Sequence, residues 1–210
     1  TKYLLILMII LICMISHVAN ATNLKGNLTA DNSFTAYISK YDDSLGTQIG
    51  YGNDWGNTYS LDKTELTENT YYLHVLASDS GGIAAFLGDF VISDPNYSFV
   101  SGTQSLLTNT SNWKVSTTGF GSYDGVVTLA INTDPLVTGI KGYNGDRTWD
   151  GLRSGISSSA AWIWTNNGYD LNTTRYFSTK ITKTAVPEPA TLLGFGIPII
   201  MLGLRKMKRL

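Results

Sequence analysis

Between residues 22 and 184 the chain alternates short apolar–polar runs with clusters of turn-forming residues. Ser33 to Lys40 sets Phe34, Ala36 and Ile38 on one face. Asn69 to Ala77 sets Tyr71, Leu73, Val75 and Ala77 on one face. A period of two predicts half-buried strands. Ile83 to Ile92 is apolar enough for a buried strand. Val126 to Ile131, Ala160 to Thr165 and Arg175 to Thr182 add three more strand candidates. Asp42-Asp43-Ser44, Gly50 to Gly56, Ser78 to Gly82, Asp94-Pro95-Asn96 and Asn144-Gly145-Asp146 read as the turns between them. The middle of the chain carries no amphipathic helical pattern. Many short strands at this spacing predict an all-β fold, an antiparallel β-sandwich.

The two ends break this pattern. Lys2 precedes an apolar run of 13 residues from Tyr3 to Ile15, and Ala19-Asn20-Ala21 fits an A-x-A cleavage site. Residues 1–21 therefore read as a secretory signal peptide in a helical apolar segment. The run is too short for an ordinary span of about 20 residues. At the other end Val186-Pro187-Glu188-Pro189 is followed by an apolar stretch from Thr191 to Leu204, then by Arg205, Lys206, Lys208 and Arg209. The prolines favour extended backbone. A short hydrophobic helix follows, and the basic cluster would stay on the cytoplasmic side of a membrane. This divides the chain into a signal at 1–21, a sandwich domain at 22–184 and a C-terminal signal at 185–210.

That tripartite tail resembles the PEP-CTERM sorting signal of Gram-negative bacteria, whose core motif Pro187-Glu188-Pro189 matches. The resemblance implies export, then recognition and cutting of the tail by an exosortase, a membrane transpeptidase-like enzyme. It also implies transient residence in the inner membrane through the C-terminal helix. The final place would be the cell surface or the medium, in organisms that make exopolysaccharide and biofilm. Pro198 departs from a smooth apolar helix and would kink it.

The middle resembles a galactose-binding-like jelly roll. Thr29-Ala30-Asp31-Asn32-Ser33-Phe34-Thr35-Ala36-Tyr37 is similar to the opening of such domains. Thr70 to Phe90 is similar to their later strand pair with a glycine-rich turn, and Ala161-Trp162-Ile163-Trp164 to a strand near their end. Lys40 to Gly46 replaces the usual short hairpin. Some such modules bind sugars and others are spacers, so fold alone does not assign a ligand.

Charge and composition narrow the chemistry. Charged residues make up only 15% of the chain. Setting aside five basic residues and one acid in the two end segments leaves 10 basic and 15 acidic side chains, a net of −5. No basic stripe is present, which argues against a nucleic-acid partner. Cys13 is the one cysteine and lies in the signal segment. Ile12 before it does not suit lipidation. The domain itself therefore has no disulfide and no thiol nucleophile.

His74 is the one histidine outside the signal segment, and its phase along the strand predicts a partly exposed surface position. No G-x-S-x-G elbow accompanies it. Asp31, Asp54, Asp79, Asp124, Asp146 and Asp150 all fall in predicted turns, with no pattern that singles out an acid and a base. The expectation is a non-enzymatic surface or extracellular-matrix protein, with a dedicated carbohydrate-binding module as the alternative and a glycoside hydrolase a distant third. No cofactor is expected. A structural calcium has two weak candidate loops, Asp42-Asp43 and Asn144-x-Asp146-x-x-x-Asp150.

Aromatic residues are the stronger binding signal. Trp55 sits in a Gly- and Asn-rich loop with Tyr51, Asn53 and Asp54 beside it, and the jelly-roll resemblance would bring Asp31 and Asn32 close. Such a group suits an extracellular polysaccharide, with sugar C–H faces on the indole and hydroxyls on the Asn and Asp side chains. The competing reading is that Trp55 plugs the end of the sandwich. Trp149 is a second loop candidate. Trp113, Trp162 and Trp164 read as core, the last two on one face.

Overall fold

The computed structural model describes residues 22–62, 64–132, 141–169 and 172–184. The expected signal helix with Ala19 and Ala21 lies outside them. So does the tail with Val186, Pro187, Glu188, Pro189 and the basic Arg205, Lys206, Lys208 and Arg209.

The described residues form β1 (Asn23–Asp31), β2 (Ser33–Ser39), β3 (Thr47–Gly52), β4 (Tyr59–Ser60), β5 (Thr64–Glu65), β6 (Thr70–Ser78) and β7 (Ala85–Ile92). Then come β8 (Tyr97–Phe99), β9 (Ser105–Leu107), β10 (Lys114–Ser116), β11 (Thr128–Leu129), β12 (Ile163–Trp164) and β13 (Thr174–Lys183). One sheet runs β11-β12-β7-β1-β4, with β5 on β1 and β9 on β7. The other runs β10-β13-β6-β2-β3, with β8 on β13. Every pairing is antiparallel.

The expected all-β, sandwich-like architecture is present. Alternation places Leu24, Leu28 and Ala30 of β1 inside, in register with Ile92, Gly88 and Phe86 of β7, while Phe90 lies opposite Gly26. Phe34 and Ala36 of β2, Leu73 and Val75 of β6 and Phe177 of β13 supply the other inner face. The sheets meet at Phe86 and Phe177, 5.3 Å apart, and Trp113 closes on Phe86 edge-on at 5.2 Å. Aromatic pairs in such offset or edge-on contact add to plain area burial.

The expected strands at 33–40, 69–77, 83–92 and 175–182 become β2, β6, β7 and β13. The expected strands at 126–131 and 160–165 shrink to two-residue pairings. The turn expected to start at Gly50 starts later, because Gly50 and Gly52 belong to β3. A Cβ on Gly52 would come within 2.5 Å of the Phe34 and Tyr59 rings. Close approach, not turn geometry, calls for glycine there.

His74 overturns its expected exposure. It points away from Leu73 and Val75, yet it is 0% exposed. The reason is a loop laid over it from far along the chain: Phe120 stacks on the imidazole at 4.0 Å. That loop is clasped by the Tyr123 hydroxyl, which donates to Asp42. The Tyr41 carbonyl lies 3.4 Å from Nε2. Burial holds the imidazole pKa below its usual range, against weaker opposing pulls from the Tyr41 carbonyl and Asp42.

Both ends of the domain meet at one end of the sandwich. The Thr22 hydroxyl donates to Asp94 at 2.5 Å, and the Thr184 N–H donates to the Asn96 carbonyl at 2.6 Å. β1 leaves this end and reaches the other at Asp31.

Candidate functional site

Outward-facing positions of β1 start the site. Lys25, Asn27, Thr29 and Asp31 alternate with the core residues, so they line the outer face of the first sheet. The excursion from Lys141 to Ala161 folds over the upper part of that face. Asp146 nucleates it. Its carboxylate accepts from the Thr148 N–H at 2.9 Å and the Gly142 N–H at 2.6 Å, which starts the 3-10 turn Arg147–Trp149. Asn144 holds the return: its amide donates to the Arg153 and Ile156 carbonyls and accepts from the Arg153 N–H.

Trp149 corrects its reading as an exposed binding candidate. It is 1% exposed and stacks on Trp162 with ring centroids 4.4 Å apart. The 3-10 turn aims the indole inward. Its Nε1–H donates to Asp31 Oδ2 at 3.1 Å. Trp113, Trp162 and Trp164 are buried as expected. Trp162 and Trp164 meet different neighbours, Trp149 for the first and Phe177 for the second.

Trp55 lies between its two readings. It is half-buried against the core, and the Arg153 guanidinium sits 5.3 Å from its ring centre. Arg153 donates to the Gly56 carbonyl at 2.7 Å and to the Trp149 carbonyl. Its Nε–H has no partner. One guanidinium therefore ties the Trp55 loop to the Trp149 turn, with cation–π attraction between the charge and the indole. The Thr29 hydroxyl bonds the Trp55 carbonyl at 3.3 Å from below.

The other expected binding residues are brought together only in part. Asp54 is engaged in its own turn, accepting from the Gly56 N–H at 2.8 Å and the Asn57 amide at 2.7 Å. Asn53 is exposed, and Tyr51 is 55% exposed on β3. No hydrogen bond or ring contact joins either to Trp55. Asp31 reaches the Trp55 loop only through Trp149 and Arg153. Asn32 belongs to the far-end turn, where its side-chain amide oxygen Oδ1 accepts from the Ser80 N–H at 2.5 Å. Burial pushes the Asp31 carboxyl pKa up to about 6; the Trp149 N–H opposes this, and the nearby Asp79 charge adds to it.

In the two calcium candidate loops three side chains are already engaged. Asn144 and Asp146 hold backbone groups, and Asp42 accepts from Tyr123 and, at 3.5 Å, from Ser178. No group of three His, Cys, Asp or Glu side chains converges among the described residues.

Arg153 carries no sequence signal beyond its setting in Gly151-Leu152-Arg153-Ser154-Gly155. Its role depends on joining Trp149, four positions before it, to Gly56, 97 positions away. Trp55→Ala should lower stability by about 1–2 kcal/mol, the value of a partly buried ring and one cation–π contact. A urea-unfolding loss above about 3 kcal/mol, typical of a fully buried tryptophan, would place the indole in the core instead.

No protein family, curated protein or solved structure matches this chain.

Proposed function

We propose that the chain is an exported bacterial surface or extracellular-matrix protein, non-enzymatic and associated with exopolysaccharide. Its tail passes transiently through the inner membrane and is sorted by an exosortase. The observation that carries this reading is the opposed layout of its ends. A basic-then-apolar segment with Ala19 and Ala21 comes first. Pro187-Glu188-Pro189, an apolar run and a basic stop come last. A β-sandwich of galactose-binding-like, jelly-roll type suits a rigid extracellular module between them. The sparse catalytic inventory supports a binding or structural role, since His74 lies under Phe120 and Asp54 serves its own turn.

Intact-mass measurement of the protein from a producing Gram-negative cell tests the processing. The expected masses lack residues 1–21 and the segment beyond the Pro-Glu-Pro motif. A mature surface protein that keeps its basic C-terminus would remove the exosortase step. A second reading, a dedicated carbohydrate-binding module, is favoured by the open polar surface beside β4. Selective binding to one glycan family would promote it.

A further inference from the structure

The 141–161 excursion leaves the lower part of the outer sheet face uncovered. Two adjoining hollows there, of about 410 and 520 Å³, share Asn27, Ser60 and Gly155. This is within the size range of small-ligand sites. The Asn27 amide donates to the Gly155 carbonyl at 2.8 Å and accepts from the Ser60 hydroxyl at 2.8 Å, so these side chains hold fixed positions on the floor. Gly155 has φ +79°, a conformation that L side chains rarely adopt. Glycine keeps the rim low at that point.

The charges around the groove are lopsided. The larger hollow is lined by amides, hydroxyls and Arg153, with no carboxylate among its described lining residues. Arg153 is 8% exposed, and its charge meets backbone carbonyls rather than an acid. A buried cation without a counter-charge is unfavourable. Lys25 lines the smaller hollow with no side-chain partner. The one carboxylate lining that hollow, Asp89, accepts from the Ser157 N–H at 3.2 Å. The groove's cations are thus Lys25 and Arg153, while Asp89 holds the Ser157 N–H and Asp54, behind Gly56, is taken up by its own turn.

We propose that this groove binds an acidic polysaccharide of the uronate class. A ring carboxylate would lie on the Arg153 side, and ring hydroxyls would meet Asn27, Asn57 and Ser60. The site rests on the proposed association with exopolysaccharide and gives it a location and a charge. It stands beside Trp55, whose ring already carries the Arg153 guanidinium.

The test is affinity electrophoresis of the full chain in mild detergent, through gels containing polygalacturonate or neutral dextran. Polygalacturonate should retard the protein, less so as salt is raised, and dextran should not. Ser154 and Lys25 are exposed and make no side-chain hydrogen bonds, so Ser154→Glu and Lys25→Gln should melt like wild type. Each should bind polygalacturonate about threefold to fivefold more weakly. Equal retardation by dextran overturns the uronate class. Retardation unchanged by Ser154→Glu removes the groove but keeps polysaccharide association. No retardation by either polymer removes the groove, and the mass of the processed chain still decides the sorting independently.

Discussion

Trp149→Ala should lose about 3–5 kcal/mol of folding stability, the range for removing a buried tryptophan. Three interactions go at once: the stack on Trp162, the N–H that Asp31 accepts, and the packing under the carbonyl that Arg153 binds. Equilibrium urea unfolding measures it. Trp149→Phe keeps a ring against Trp162 but withdraws the donor, and should lose less. An alanine variant that unfolds within about 1 kcal/mol of wild type would mean that the 141–161 excursion is not docked on the sheet. That result would also dismantle the wall of the groove.

Asp31→Asn should raise stability at neutral pH. The folded state pushes the Asp31 pKa from the usual 3.8 to about 6, mainly through burial. Between those values the folded chain holds more protons than the unfolded one, so stability falls as pH rises through this window. Below it the carboxyl is neutral in both states and the penalty is absent; above it the penalty is complete. A shift of that size is about 3 kcal/mol in a dry site. Partial exposure of the carboxyl screens this to about 1–2 kcal/mol. Asparagine keeps an oxygen for the Trp149 N–H and carries no charge toward Asp79. Melting curves at pH 7.5 should therefore favour the variant, and the gap should close near pH 4. A gap that stays constant across the range would refute the shifted carboxyl.

Strands with strict alternation were legible from sequence because one face of each is buried against the facing sheet. Tyr71, Leu73, Val75 and Ala77 of β6 show this plainly. β1 is not legible in the same way. Asn23, Gly26 and Asn27 are residue types depleted in strands, although Leu24, Leu28 and Ala30 carry the inner face. Gly50 and Gly52 mislead similarly, since glycine serves close packing as well as turns. The candidate site was legible only in its parts. Asp31 and the Trp55 loop stand out in the sequence. The link between them is Arg153, whose partners Gly56 and Trp149 no local pattern specifies. His74 shows the same limit: its strand phase points it away from Leu73 and Val75, but the Phe120 loop that buries it comes from 46 positions away.

The meeting of Thr22 and Thr184 at the 94–96 loop fixes how a tethered domain would stand. From Thr184 to Ala190 the backbone can reach at most about 20 Å, whereas β1 alone is about 30 Å long. A leash shorter than the body it holds leaves little freedom to tumble. Under the proposed sorting, the end of the sandwich that carries Thr22 and Thr184 would stay within reach of the membrane before the tail is cut. The Asp31 turn would form the outermost tip, and the Asn27 groove would sit at mid-height, open sideways. A polymer threading between neighbouring molecules would meet it there, rather than at the crown.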